Sequence, residues 1–235
     1  MVPKQITPGD VPEHIIALIK QIEHAGFRAW IVGGAVRDLL LERIPIEYDI
    51  ASSASPDQIQ DIFPNTIPTG IAYGTVTVVL DGHNVEVTTY RKESEYKNAR
   101  HPSNVSFSKN IEEDLARRDF TINAMAYNPN TKQFLDLYNG VDDLDKKQLV
   151  CVGNPLERFL EDTLRPFRCF RLMAQLGLVV PLDTQDALIK SSKEAVLPAM
   201  ERIRQEMDRL LMAPYWTAAL TLMERTGWLQ KVVEP

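Results

Sequence analysis

Two glycines followed at short range by two acids constrain this chain more than any other feature. Residues 29 to 41 read Ala-Trp-Ile-Val-Gly-Gly-Ala-Val-Arg-Asp-Leu-Leu-Leu, and Glu47-Tyr48-Asp49-Ile50 follow. An apolar run that stops at Gly33-Gly34 and resumes as a mixed segment predicts a strand over 28–33, a turn, and a short helix over 35–42. Backbone N–H groups at such a turn are ready donors for a phosphate. Strand side chains alternate faces, so Glu47 and Asp49 point the same way in a strand predicted over 46–51. Two carboxylates on one face repel each other unless a cation lies between them. Oxygen ligands with room for water and phosphate suit Mg²⁺. Metal-binding acids beside a phosphate cradle predict nucleotidyl or phosphoryl transfer. An acid-x-acid pair also occurs on plain solvent-facing strands, so other residues must decide.

A chain of 235 residues holds one large or two small domains. Hydrophobic residues make up 44% and charged residues 25%, the profile of a soluble globular protein. No apolar run approaches the roughly 20 residues that span a bilayer, and the N-terminus lacks a signal-peptide core. Cys151 and Cys169 show no metal-site spacing, and two cysteines make no disulfide framework. The expected setting is reducing and cytoplasmic. A net charge of −6 argues against a generic polyanion binder and predicts weak RNA binding by this segment alone.

Helical spacing of Val11, Ile15, Leu18, Ile19 and Ile22 predicts a helix over 10–25, closed by Gly26. Ser55 before Pro56 predicts an N-cap and a helix to Phe63. Gly74–Leu80 and Asn84–Tyr90 read as strands of a hairpin joined at Asp81-Gly82-His83. Residues 91–104 read as a long mobile loop, 111–126 mix helix and turn signals, and 133–137 are a candidate strand. Asn154-Pro155-Leu156-Glu157 is a helix start. Helices are then expected over 155–176, 184–193, 198–211 and 214–226. The expected boundary lies near residue 150, with an α/β domain over 1–150 and a helical domain over 151–235.

Glu86, between two valines, is a third acid if its strand pairs with the one bearing Asp49; otherwise it is the solvent side of a hairpin. Three such acids would hold two divalent ions about 3.5–4 Å apart. Arg118 in Arg117-Arg118-Asp119 is suited to a bidentate grip on a triphosphate, with Asp119 holding the arginine or the turn. Asp162, Arg165, Arg168 and Arg171 recur every three residues, which on one helix makes a slowly drifting stripe. Ordinary ion pairing explains such a stripe, but a fixed Asp acceptor beside a fixed Arg donor also complements the pairing edge shared by cytosine and adenine. Uracil and guanine would leave buried groups unpaired there. Arg168 and Arg171 would face phosphate or sugar. The charged loop with Arg91, Lys97 and Arg100 suits a lid over a nucleotide.

In order and spacing, these motifs resemble the class II tRNA nucleotidyltransferases (CCA-adding enzymes) and bacterial poly(A) polymerases, within the DNA polymerase β superfamily. The resemblance spans roughly residues 14–228. It rests on Gly33-Gly34-Ala35-Val36-Arg37-Asp38, Glu47-Tyr48-Asp49-Ile50, Gly70 through Gly74-Thr75, Glu86 through Arg91, Arg117 through Ala124, and Glu161 through Arg171. It implies a polymerase β-like α/β head, with a small mixed sheet and helices, followed by an all-α neck. It implies nucleotide contacts from Gly33, Gly34, Arg37, Arg118, Asp119, Asn123, Glu161, Asp162, Arg165, Arg168 and Arg171. Glu47 and Asp49 would be the metal ligands, Glu86 the third catalytic acid, and Glu161 the group that orients Arg165. Mg²⁺ would be the cofactor, with Mn²⁺ as a substitute. CTP, ATP and the tRNA 3′ end would be the partners, and no membrane is involved. The loop 91–102 resembles the element that the family needs to switch from C to A.

Three departures shape the expectations. The family usually has Asp where this chain has Glu47. The extra methylene moves a carboxylate about 1.5 Å, and a misplacement on that scale can cost about 10²-fold in rate. Pro166 is expected to kink the templating helix. The chain stops at Pro235 without the family's body and tail, which predicts weak tRNA binding. The expected activity is ordered addition of C and A. An A-adding or poly(A) polymerase and a catalytically weak nucleotide-binding module are the alternatives.

Overall fold

A computed structural model describes residues 5–92 and 106–233, and within them the chain forms two compact units. The first contains the described residues up to Arg118 together with Ile122–Val141; the second contains Asp119–Thr121 and the residues from Asp142 onward. Lys97 and Arg100, and with them most of the expected lid, lie outside the described residues.

The first unit opens with α1 (Glu13–His24), which buries Ile15, Leu18, Ile19 and Ile22 on one face. Gly26, at φ 89°, ends it: Gly26 N–H donates to Glu23 O and Phe27 N–H to Ile22 O, pairing carbonyls that the helix end leaves open. β1 (Ala29–Val32) is buried along its whole length, and α2 (Gly34–Leu40) follows the turn. β2 is Asp49–Ser52, shorter than expected. Glu47 precedes the strand, so ladder pairing does not fix its place beside Asp49.

In α3 (Pro56–Ile62), Gln58 N–H donates to Ser55 Oγ and Ser55 N–H to Gln58 Oε1, a reciprocal cap. β3 (Thr66–Gly70) was not evident in the sequence. It carries Pro68 and stands at the sheet edge, where a missing N–H is tolerated. β4 (Thr75–Leu80) and β5 (His83–Thr89) meet at Asp81-Gly82, both at positive φ, as a two-residue hairpin turn requires. β6 (Arg91–Lys92) pairs with β7 (Ser106–Phe107), so Arg91 belongs to a strand and not to the mobile loop expected there. α4 (Ile111–Ala116), β8 (Met125–Asn128), β9 (Gln133–Asp136) and α5 (Gly140–Asp145) complete the sequence of elements to residue 145.

Seven strands form one mixed sheet in the order β3-β4-β5-β2-β1-β8-β9. Among the described residues of this sheet, only β2 and β5 pair in parallel. Trp30, Val32, Ala51, Tyr90, Ile111, Leu115 and Ala126 pack into a core that ties α4 to this sheet.

In the second unit the expected helix over 155–176 is two helices, α6 (Pro155–Glu161) and α7 (Arg165–Leu176). Asp162 is the extended residue that ends α6, at φ −135° and ψ 103°. Asp162, Arg165, Arg168 and Arg171 therefore do not form a stripe on one helix. Pro166 occupies the first turn of α7, where its missing N–H breaks no helical bond, so the expected kink is absent. α8 (Leu182–Glu194), α9 (Met200–Leu211), α10 (Trp216–Arg225) and α11 (Trp228–Val233) follow. Phe159, Phe167, Phe170, Leu188, Leu210 and Trp228 are buried. Trp228 meets Phe167 edge-on, with ring centroids 5.2 Å apart, and its Nε1–H donates to Leu188 O. Burial pushes the Cys151 thiol up to about 12 and raises Cys169 well above the usual thiol range, as expected of packing residues. Among the described residues no helix is long and apolar enough to cross a membrane.

Candidate active site

Gly33 links β1 to α2 at φ 71°, a conformation that costs glycine nothing. A side chain could not stand there without crowding: a methyl group at Gly33 would lie 3.1 Å from Arg118 Nη1 and 3.7 Å from Asp49 Oδ2. The backbone at Gly33, the Arg118 guanidinium and the Asp49 carboxylate thus converge on one spot. At Gly34 the same test reaches Arg37 Nη2 at 3.4 Å. Arg37 is fixed by two acceptors, Asp38 Oδ1 at 2.9 Å from Nε and Asn123 Oδ1 at 2.8 Å from Nη1.

The parallel pairing of β2 with β5 puts Asp49 opposite Glu86. Each carboxylate has its pKa raised, chiefly by the protein packed around it. For Glu86, repulsion from Asp49 and Glu47 adds to that effect; for Asp49, Glu47 adds and Arg118 offsets. The three acids therefore act on one another electrostatically. They do not form a ready-made cage: among the described residues no group of three or more His, Cys, Asp or Glu side chains is placed to hold a metal ion. Mg²⁺ usually binds through one or two carboxylates, with water and substrate phosphate completing its shell. A pair of mutually repelling hard oxygen donors fits that ion.

Asp114, on α4, was missed in the sequence although it stands three and four residues before Arg117 and Arg118, ordinary ion-pair spacing on a helix. Its side chain is almost fully buried. Oδ1 accepts from Arg117 Nη2 at 2.9 Å and from the Arg91 backbone N–H at 3.2 Å, and Oδ2 accepts from Arg118 Nη2 at 3.0 Å. Burial alone would raise its pKa, but Arg118 and Arg117 outweigh that and hold the carboxyl below its usual range. Arg118 Nη1 also donates to Asn123 O at 3.3 Å.

The remaining site candidates belong to the second unit. Glu161 Oε2 accepts from Arg165 Nη1 at 2.7 Å and from Arg158 Nη1 at 2.9 Å. Arg165 is buried and also donates to Arg158 O. Asp162 Oδ1 caps Leu164 N–H at 3.0 Å. Asp119 Oδ1 accepts from Phe120 N–H, and its Oδ2 lies 3.4 Å from Arg168 Nη1, so Asp119 holds a turn and Arg168. Burial disfavours the Arg168 charge, but Asp119, Asp162 and Glu206 more than offset this. Arg171 is engaged by Glu206 and Gln175. These partners lie on α9 and on α7 itself.

Residues 29–150 match the family described as the Poly A polymerase head domain, and residues 180–235 match the family described as a probable RNA and SrmB-binding site of polymerase A. The CCA-adding enzyme of Streptococcus gordonii is 43% identical over 218 residues, covering 93% of this chain and 54% of the relative. The crystal structure of the Bacillus stearothermophilus CCA-adding enzyme in complex with CTP superposes with a TM-score of 0.85 at 37% identity, over 92% of this chain and 52% of that one. A tRNA nucleotidyltransferase complexed with a primer tRNA and an incoming ATP analog gives a TM-score of 0.74 at 26% identity, over 92% of this chain and 62% of that one. The chain spans about half the length of the curated relatives it matches. With the carboxylate pair, the Gly33 turn and the Arg118 anchor already placed by the fold, these matches establish that the chain belongs to the family of CCA-adding tRNA nucleotidyltransferases and bacterial poly(A) polymerases.

Proposed function

We propose that this chain is the catalytic portion of an enzyme that adds C and A to the 3′ end of tRNA from CTP and ATP in the cytoplasm, releasing pyrophosphate. The observation that carries the reading is the in-register pair Asp49–Glu86, with Glu47 acting on both and Arg118 beside Asp49 at the Gly33 turn. In the reaction, the primer's 3′-hydroxyl gives up its proton to Glu86 or to solvent, its oxygen forms a bond to the α-phosphorus, and the bond to the pyrophosphate oxygen breaks as pyrophosphate leaves. Arg118 and the backbone at Gly33 hold phosphate oxygens, and Arg37, locked by Asp38 and Asn123, holds the sugar-phosphate portion. Glu47 and Asp49 would hold Mg²⁺, which when bound lowers the hydroxyl's pKa and neutralises developing charge.

In this reading residues 1–150 supply the chemistry and residues 151–235 read the base. The Asp162 carboxylate and the Arg165 guanidinium would pair with the edge that cytosine and adenine share, and Glu161 would fix the arginine. The match of residues 180–235 to an RNA-binding family and the primer tRNA in the 26%-identical structure support RNA as the partner. The test is incorporation of labelled CTP and ATP, alone and together, into tRNA transcripts ending before CCA, before the last A, and after CCA, with Mg²⁺. Addition of C, C and A that then stops supports the reading. A alone, or a long A tail, moves it to A-adding or poly(A) activity. No incorporation with Mg²⁺ or Mn²⁺ at high tRNA rejects catalysis by this chain.

A further inference from the structure

Arg91 was expected in a lid, but the fold anchors it on the sheet. Its Nη2 donates to Thr75 Oγ1 at 2.9 Å, and that hydroxyl also lies 2.9 Å from Thr88 Oγ1. Thr75 and Thr88 are register partners on β4 and β5, two residues along β5 from Glu86. The Arg91 backbone N–H is held by Asp114, the residue that also grips Arg117 and Arg118. Asp114 thus holds two guanidinium groups and the backbone of a third arginine, and both of its oxygens are engaged. The Nε atoms of Arg91 and Arg118 are both buried and have no hydrogen-bond partner among the described residues. A buried charged donor without an acceptor is costly, and natural structures supply the acceptor by protein, water or ligand. A phosphate presents several anionic oxygens in the geometry that guanidinium groups match best.

We propose that Arg91, anchored by Thr75, forms with Arg118 a phosphate-binding subsite on the first unit, beside Glu86. The phosphate would come from the polyphosphate tail of the nucleotide or from the terminal segment of the RNA strand. The subsite adds a second arginine to the proposed nucleotidyl-transfer site and rests on that reading. Burial, with the neighbouring Arg117 and Arg118 charges, pulls the Arg91 guanidinium down to about 10, and a bound dianion would reverse that direction.

The test is binding rather than turnover. Affinities of the whole chain for inorganic tripolyphosphate, CTP and a short RNA ending in CC are measured by calorimetry, with melting temperatures without ligand as the folding control. The variants are Arg91→Met, Arg91→Lys and Thr75→Val. Arg91→Met is expected to weaken at least one phosphate ligand about tenfold or more, with Arg91→Lys intermediate. A loss confined to tripolyphosphate and CTP assigns the subsite to the nucleotide; a loss confined to RNA assigns it to the primer. Either supports the proposal. If Arg91→Met does not fold, Arg91→Lys and Thr75→Val decide, because one keeps the charge without the planar fork and the other keeps the fork without its anchor. Wild-type affinities in the folded variants would overturn the subsite while leaving nucleotide addition standing. A wild-type chain that binds none of the three ligands would overturn both.

Discussion

Asp49 and Glu86 stand side by side in register on β2 and β5, the only strands of this sheet that pair in parallel among the described residues. Both carboxyls are held above their ordinary range, chiefly by the protein packed around them; Asp49 and Glu47 add to this at Glu86, while at Asp49 Arg118 offsets it and Glu47 adds. The folded state therefore binds these protons more tightly than the unfolded chain does. At pH values below the unfolded carboxylate pKa both states are protonated and no penalty arises. As pH rises through the raised values, the folded state is progressively penalised. In EDTA, wild-type melting temperature is expected to fall over that window, and Asp49→Asn to flatten the fall. Mg²⁺ is expected to restore stability at pH 7 in wild type and not in Asp49→Asn. A wild-type profile unchanged by Asp49→Asn would refute the repulsion.

Glu47 stands just before β2 and is exposed. Glu47→Asp is expected to raise the Mg²⁺-dependent rate, by up to about 10²-fold, and to narrow any preference for Mn²⁺. Single-turnover rates with the two ions check this. An unchanged or lower rate means that Glu47 already fits its site.

Gly33→Ala places a methyl group 3.1 Å from Arg118 Nη1 on a backbone at φ 71°. Both the conformation and the contact oppose it. A stability loss of roughly 1–3 kcal/mol is expected, with weakened CTP binding because Arg118 must move. Denaturant unfolding and calorimetry read the two effects separately. Wild-type CTP affinity in a folded variant would show that Arg118 makes no nucleotide contact from this position.

Arg165 is buried and held by Glu161 at 2.7 Å. Arg165→Ala is expected to blur discrimination against UTP and GTP, about tenfold or more, while triphosphate binding persists. Competition for incorporation among the four nucleotides measures it. Equal loss of all four would reject base reading by this arginine.

The sequence alone determined what depends on neighbours three or four residues away. Ser55 with Gln58, Gly26 after α1, Asp81-Gly82 in the hairpin and Asn154 before α6 are short-range hydrogen-bonding devices, and each stands where the pattern placed it. The family motifs were likewise legible, because their order along the chain needs no coordinates. Tertiary structure decided the rest. β3 was hidden because an exposed edge strand with a proline lacks apolar alternation. Pro166 could equally kink a long helix or begin a new one, and only the extended backbone at Asp162 shows that it begins one. Asp49 and Glu86 are far apart in sequence, and nothing local specifies that their strands pair in parallel. Arg91 left the expected loop because Thr75 and Asp114, both distant in sequence, supply its acceptors. Local chemistry writes caps and turns into the chain, whereas the electrostatics of this site come from contacts that exist only once the sheet has closed.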